Sequence, residues 1–70
     1  MKIFNLHSDS VKDAQDFQVI TNDEYDSNGK LVTRKYVQFT IIGNNHTWPD
    51  FMSIKDFKKL NPKVKVKGVN

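Results

Sequence analysis

Two runs rich in β-branched and aromatic residues, 17–25 and 30–42, flank the tetrapeptide Asp26-Ser27-Asn28-Gly29. An Asn-Gly pair tolerates the positive φ that tight loops require, so the runs are expected to fold back on one another as a long hairpin. The side-chain pattern selects the register. A two-residue loop would set Phe17 against Thr40 and Val19 against Gln38, mixing apolar and polar groups on one face. A three-residue loop with Gly29 as the bulge residue instead pairs Phe17 with Phe39, Val19 with Val37, Gln18 with Gln38, Ile20 with Tyr36, and Tyr25 with Leu31. A slip of one residue sends every side chain to the other face, so the matched register should prevail. One face then carries Phe17, Val19, Val37, Phe39 and Ile41. The other carries Gln18, Ile20, Asn22, Arg34, Tyr36, Gln38 and Thr40.

The flanking segments complete the fold class. Residues 2–7 alternate weakly and read as a strand, whereas 8–15 is polar apart from Val11 and Ala14 and reads as a loop or one helical turn. Gly43-Asn44-Asn45 signals a second turn. Residues 46–52 then form a short extended piece that Pro49, lacking an N–H, confines to a sheet edge or bulge. Ser53 opens a helix in a Ser-x-x-Asp pattern with Asp56, which resembles a capping box. Ile54, Phe57 and Leu60 give that helix a narrow apolar stripe, and Asn61-Pro62 ends it. Residues 63–67 are expected to form a last strand with Val64 and Val66 inward and three lysines outward, its pairing partner left open. The chain is thus expected to be one small α+β domain over residues 1–70. An antiparallel sheet of four to five strands is built on the long hairpin, with one short helix near the C-terminus on the Phe17/Phe39 face.

Seventy residues lie near the lower limit for a self-sufficient core. Eight aromatic side chains, each bringing a large apolar area, make that core feasible. The absence of cysteine excludes disulfides and Cys-containing zinc sites. No apolar run approaches the roughly 18 residues of a membrane-spanning helix, and the first residues do not resemble a signal peptide. A cytoplasmic location is the expectation. The bias toward Asn, Asp, Lys and Ile, with a single Ala and a single Arg, resembles coding by an AT-rich genome such as that of a low-GC bacterium or its phage.

Chemistry-bearing motifs are few. His7-Ser8-Asp9 and His46-Thr47-Trp48-Pro49-Asp50 bring imidazole near carboxylate, but with no nucleophile and no spacing that suits a metal. The acidic group Asp13, Asp16, Asp23, Glu24 and Asp26 lacks the alternating oxygen ligands and terminal Glu of a calcium loop. The expectation is a non-enzymatic protein without cofactor or metal.

Charge distribution is the stronger clue. The first 29 residues hold two lysines against six carboxylates, whereas Lys55, Lys58, Lys59, Lys63, Lys65 and Lys67 face a single Asp56 in the final third. Six cations on neighbouring elements suit an acidic protein surface or a run of phosphates. They also suit an edge strand protected against aggregation. One arginine and no RRM, KH or helix-turn-helix signature weigh against sequence-specific nucleic-acid reading. Arg34, Tyr36 and Trp48 supply residue types typical of protein-binding hot spots. The leading expectation is an accessory or inhibitory binding module, of the kind phages and mobile elements carry. It would dock on a partner protein with an acidic surface through the open sheet face and the basic end. Weakly sequence-specific nucleic-acid binding by the lysines is the alternative, and homodimerisation through an edge strand is a further possibility.

Overall fold

The computed structural model describes residues 1–69. Its elements run β1 (Lys2–Asn5), β2 (Ser10–Tyr25), β3 (Leu31–Ile42), β4 (Thr47–Ser53) and α1 (Ile54–Leu60). The four strands form one antiparallel sheet in the order β1-β2-β3-β4.

The hairpin register is the one the side chains select. Tyr25 pairs with Leu31, Ile20 with Tyr36, Val19 with Val37, and Gln18 with Gln38. Gly29, at φ 77°, closes the loop: its N–H donates to the Asp26 carbonyl, and the Asp26 N–H donates to the Lys30 carbonyl. The Asp26 carboxylate fastens the same turn by accepting from the N–H groups of Asn28 and Lys30, each at 2.9 Å. Beyond Gln18 the ladder shifts. Asp16, at φ 59°, forms a bulge with Phe17 before pairing resumes at Gln15 and Thr40. A bulge bends its strand, and here it separates the part of β2 that pairs with β1 from the part that runs out toward the hairpin tip.

Residues 8–15 were expected to form a loop or one helical turn. Instead β2 begins at Ser10, and the register Phe4–Val11 and Ile3–Lys12 joins this stretch to β1. Its polarity reflects its position: Val11, Asp13 and Gln15 face outward, and on the inner side Ala14 is fully buried.

The core lies on the inner face. Val37, Phe39 and Ile41 are buried there with Ile3, Ala14 and Met52, beneath Phe57 of α1. Phe17, Phe39 and Phe57 meet as a three-ring cluster with centroids 5.9–6.4 Å apart. Helix α1 therefore packs on the Phe17/Phe39 face. Its N-terminus is set as expected, with Ser53 Oγ accepting from the Asp56 N–H at 3.1 Å.

The expected last strand does not form. Residues 63–67 have no strand conformation, so the sheet has four strands and α1 is followed by turns. The lysine–valine alternation is nevertheless real, with Val66 buried and Lys63, Lys65 and Lys67 exposed. Period-two alternation reports which side chains turn inward, and an extended segment lying across a core shows it without a ladder. Val69 is buried further along, and Gly68 lies against Val19.

The curled sheet is drawn together where β1 meets the far side of the molecule. The Asn5 amide donates to the Asp50 carboxylate on β4 at 3.0 Å. Asn61, just past α1, accepts from the Phe4 N–H and donates to the Phe4 carbonyl. The sheet is widest at this end. Toward the hairpin tip β1 and β4 have both ended, and residues 21–25 and 31–35 continue as a two-stranded arm in a molecule 41 Å long.

Candidate binding surface

The outer face of the sheet, opposite α1, holds the surface with the most specific chemistry. Register places Gln18, Ile20, Asn22 and Glu24 of β2, Val32, Arg34, Tyr36 and Gln38 of β3, and Phe51 of β4 on this face. The Tyr36 hydroxyl donates to Glu24 Oε2 at 2.6 Å, and Arg34 Nε lies 3.2 Å from Glu24 Oε1. One carboxylate thus fixes both the phenol and the guanidinium. The hydrogen bond to Glu24 raises the Tyr36 pKa, and burial and the Glu24 charge push it the same way. Tyr36 also meets Phe51 edge-on at 5.4 Å, and Phe51 meets His7 edge-on at 5.7 Å. Phe51 remains 45 % exposed. A large ring held by neighbours yet open to water is pre-ordered for contact at little further entropic cost.

Where β4 gives way to α1, a cleft of about 260 Å³ is lined by Arg34, Lys35, Tyr36, Ser53, Ile54 and Lys55. Three of its lining residues are cationic, two from β3 and one from α1, and two carry hydroxyl groups.

Of the nine residues singled out from sequence, the cleft unites Arg34, Tyr36 and Lys55. Lys58 and Lys59 lie on the exposed side of α1, and Lys63, Lys65 and Lys67 are exposed in the segment after it. Among the described residues, none of the six lysines makes an ion pair within 4 Å. Trp48 lies apart from Tyr36. It pairs with Ile41, so it belongs to the inner face, half-buried against the core and stacked near His46 at 5.1 Å. Its ring also lies over Gly43, where an added Cβ would come within 2.8 Å of Trp48 Cζ3.

Sequence reasoning did not single out Phe51 or Lys35, and it set His7 beside Asp9 rather than Asp50. The signal for Phe51 was its parity with Pro49 on a strand whose register against β3 was unknown. No group of three or more potential metal ligands occurs among the described residues. His7 Nδ1 and Asp50 Oδ1 lie 2.5 Å apart, a pair that belongs to no such group. Burial pushes the Asp50 carboxyl up, but hydrogen bonds from Asn5, His7 and the Phe51 N–H together outweigh it and leave the pKa below the ordinary value. No helix among the described residues is long and apolar enough to cross a membrane.

Comparison with known proteins adds no relative: no family model matches the chain, and neither a curated protein nor a solved structure matches it significantly.

Proposed function

We propose that this chain is a small non-enzymatic binding module, an accessory or inhibitory protein that docks on a partner protein with an acidic surface. The observation that carries the reading is the uncovered outer face, where Phe51 and Tyr36 stand edge to face beside the Arg34–Lys35–Lys55 cleft. Aromatic anchors next to arginine form the composition of interface hot spots, and the surrounding cations raise the rate of encounter with an acidic partner. The compositional resemblance to phage and low-GC coding makes a bacterial lysate the natural source of that partner. Affinity capture with the wild-type chain and with Phe51→Ala tests the reading. A protein retained by the wild type and lost with Phe51→Ala is expected, and recovery of nucleic acid alone overturns it.

The alternative, nucleic-acid binding, is favoured by the six exposed lysines between positions 55 and 67, none of which makes an ion pair among the described residues. Fluorescence titration with random single- and double-stranded oligonucleotides would then show affinity falling steeply with salt and lost on Lys63→Glu/Lys65→Glu. No binding at low salt eliminates it.

A further inference from the structure

Strand β3 outruns its neighbour. The β3–β4 ladder begins at Tyr36 and Ser53, where the Ser53 cap turns the chain into α1, but β3 itself begins at Leu31. Among the described residues, 31–35 therefore pair only with β2. The hydrogen bond from the Asp26 N–H to the Lys30 carbonyl fixes which groups are free. Narrow and wide pairs alternate in an antiparallel ladder, so Leu31, Thr33 and Lys35 turn their N–H and C=O groups away from β2, onto the open edge. The basic cleft lies at the head of that edge.

We propose that this edge accepts an extended acidic segment of the partner protein as an added strand. The segment lies in line with β4, and an acidic side chain at the end abutting Ser53 seats among Arg34, Lys35 and Lys55. The inference rests on the protein-docking reading above and names its mode. Main-chain pairing supplies affinity in such complexes, and side-chain sites supply selectivity. Charge decides the occupant. Antiparallel pairing of β3 with β3 of a second copy would crowd Arg34 and Lys35 of both chains onto one five-residue edge. Antiparallel pairing with the Asp23- and Glu24-bearing strand of a second copy would hold the two molecules about 10 Å apart, two strand spacings. The narrowest dimension of this molecule is 19 Å, so the bodies would collide. The cations that repel a copy attract an acidic strand.

The test titrates the isotope-labelled protein with a blocked, fluorescein-labelled hexapeptide, Asp-Val-Glu-Val-Thr-Val, and with its counterpart carrying Lys at both acidic positions. Saturable binding of the acidic peptide, with backbone amide shifts and slowed hydrogen exchange at Leu31, Thr33 and Lys35, is the expected result. Thr33→Pro removes an N–H that β2 does not use and should weaken binding roughly tenfold. Lys35→Glu and Lys55→Glu, exposed and harmless to the fold, should each weaken it at least several-fold and keep the test decisive if Thr33→Pro misfolds. Absence of binding up to about 1 mM, or equal binding of the lysine peptide, overturns the proposal. Shifts confined to Phe51 and Gln38 overturn the edge mode but leave the outer-face reading standing, whereas binding only to an oligothymidylate control overturns both. Concentration-dependent shifts at Leu31, Thr33 and Lys35 without peptide would assign the edge to a second copy, and so overturn the acidic-segment proposal.

Discussion

The side chain of Asn61 holds the backbone of Phe4 as a neighbouring strand would. Its Oδ1 accepts from the Phe4 N–H at 2.7 Å and its Nδ2 donates to the Phe4 carbonyl at 3.1 Å, across 57 positions of sequence. Asn61 is itself 7 % exposed, so both bonds are shielded from water. An amide side chain satisfies a strand's donor and acceptor together, and no other residue type of this length does so.

Replacing Asn61 with Ala should therefore leave two main-chain groups of β1 unpaired and cost about 2–4 kcal/mol. Asn61→Asp keeps the acceptor but loses the donor, and should fall between wild type and Asn61→Ala. Urea denaturation checks both values. A loss below about 0.5 kcal/mol for Asn61→Ala would show that water replaces the clasp without penalty.

The Asp50 carboxyl titrates below its ordinary range in the folded chain. An unfolded carboxyl binds its proton more readily, so the contribution of Asp50 is present above its unfolded pKa, about 3.9, and is lost as pH falls through the lower folded value. The stability advantage of wild type over Asp50→Asn should shrink as pH falls from about 5 through the lowered folded value. Asp13, lowered by its hydrogen bond to the Met1 amino group, titrates in the same direction, so the variant should keep part of the acid sensitivity. Urea midpoints across this range provide the measurement, and parallel curves for the two proteins would refute the assignment.

Glu24 raises the Tyr36 pKa, because a phenolate beside a carboxylate loses both a hydrogen bond and charge balance. Folded-state stability tied to this phenol is present below the unfolded tyrosine pKa, about 10, and is lost as pH rises through the higher folded value. Ultraviolet difference titration in a Tyr25→Phe background isolates Tyr36. Glu24→Gln should move its transition to lower pH, and an unmoved transition would detach the two groups.

The bulge residue Asp16 adopts φ 59°, a conformation that aspartate tolerates and β-branched residues resist. Asp16→Val should destabilise the fold by about 1–2 kcal/mol, although the side chain is exposed. Asp16→Gly should be neutral or stabilising by up to about 1 kcal/mol. Thermal unfolding of the pair gives the comparison, and equal midpoints would mean that the bulge moves elsewhere.

Local chemistry in the sequence was decisive for the hairpin and the helix. Asn28-Gly29 permits the positive φ that a tight loop needs there, and the Phe17/Val19 and Val37/Phe39 sets then leave one register with an unmixed face. Ser53 and Asp56 set the helix start because the cap needs nothing beyond three residues of chain. The Asp16 bulge was hidden because aspartate adopts this conformation without a glycine to mark it. The facing of Trp48 was hidden because it depends on the β3–β4 register, which Gly43-Asn44-Asn45 does not fix by itself. Alternation in residues 63–67 reported burial correctly and pairing incorrectly, since hydrogen-bond partners leave no period-two trace. The cleft could not be read at all. It arises because β4 ends before β3, and strand ends are set by contacts distant in sequence.

The two-stranded arm has a dynamic consequence. A ribbon of two strands is marginal in water unless something packs on it, and Tyr25 and Leu31 near its tip are 76 % and 57 % exposed. Amide protons at the tip should thus exchange with solvent well before those around Phe39, and a protease should nick the loop while the body stays intact. The molecule is firm at the end sealed by Phe57 and yielding at the end that reaches outward, so a ligand gripping the arm would stiffen what it holds.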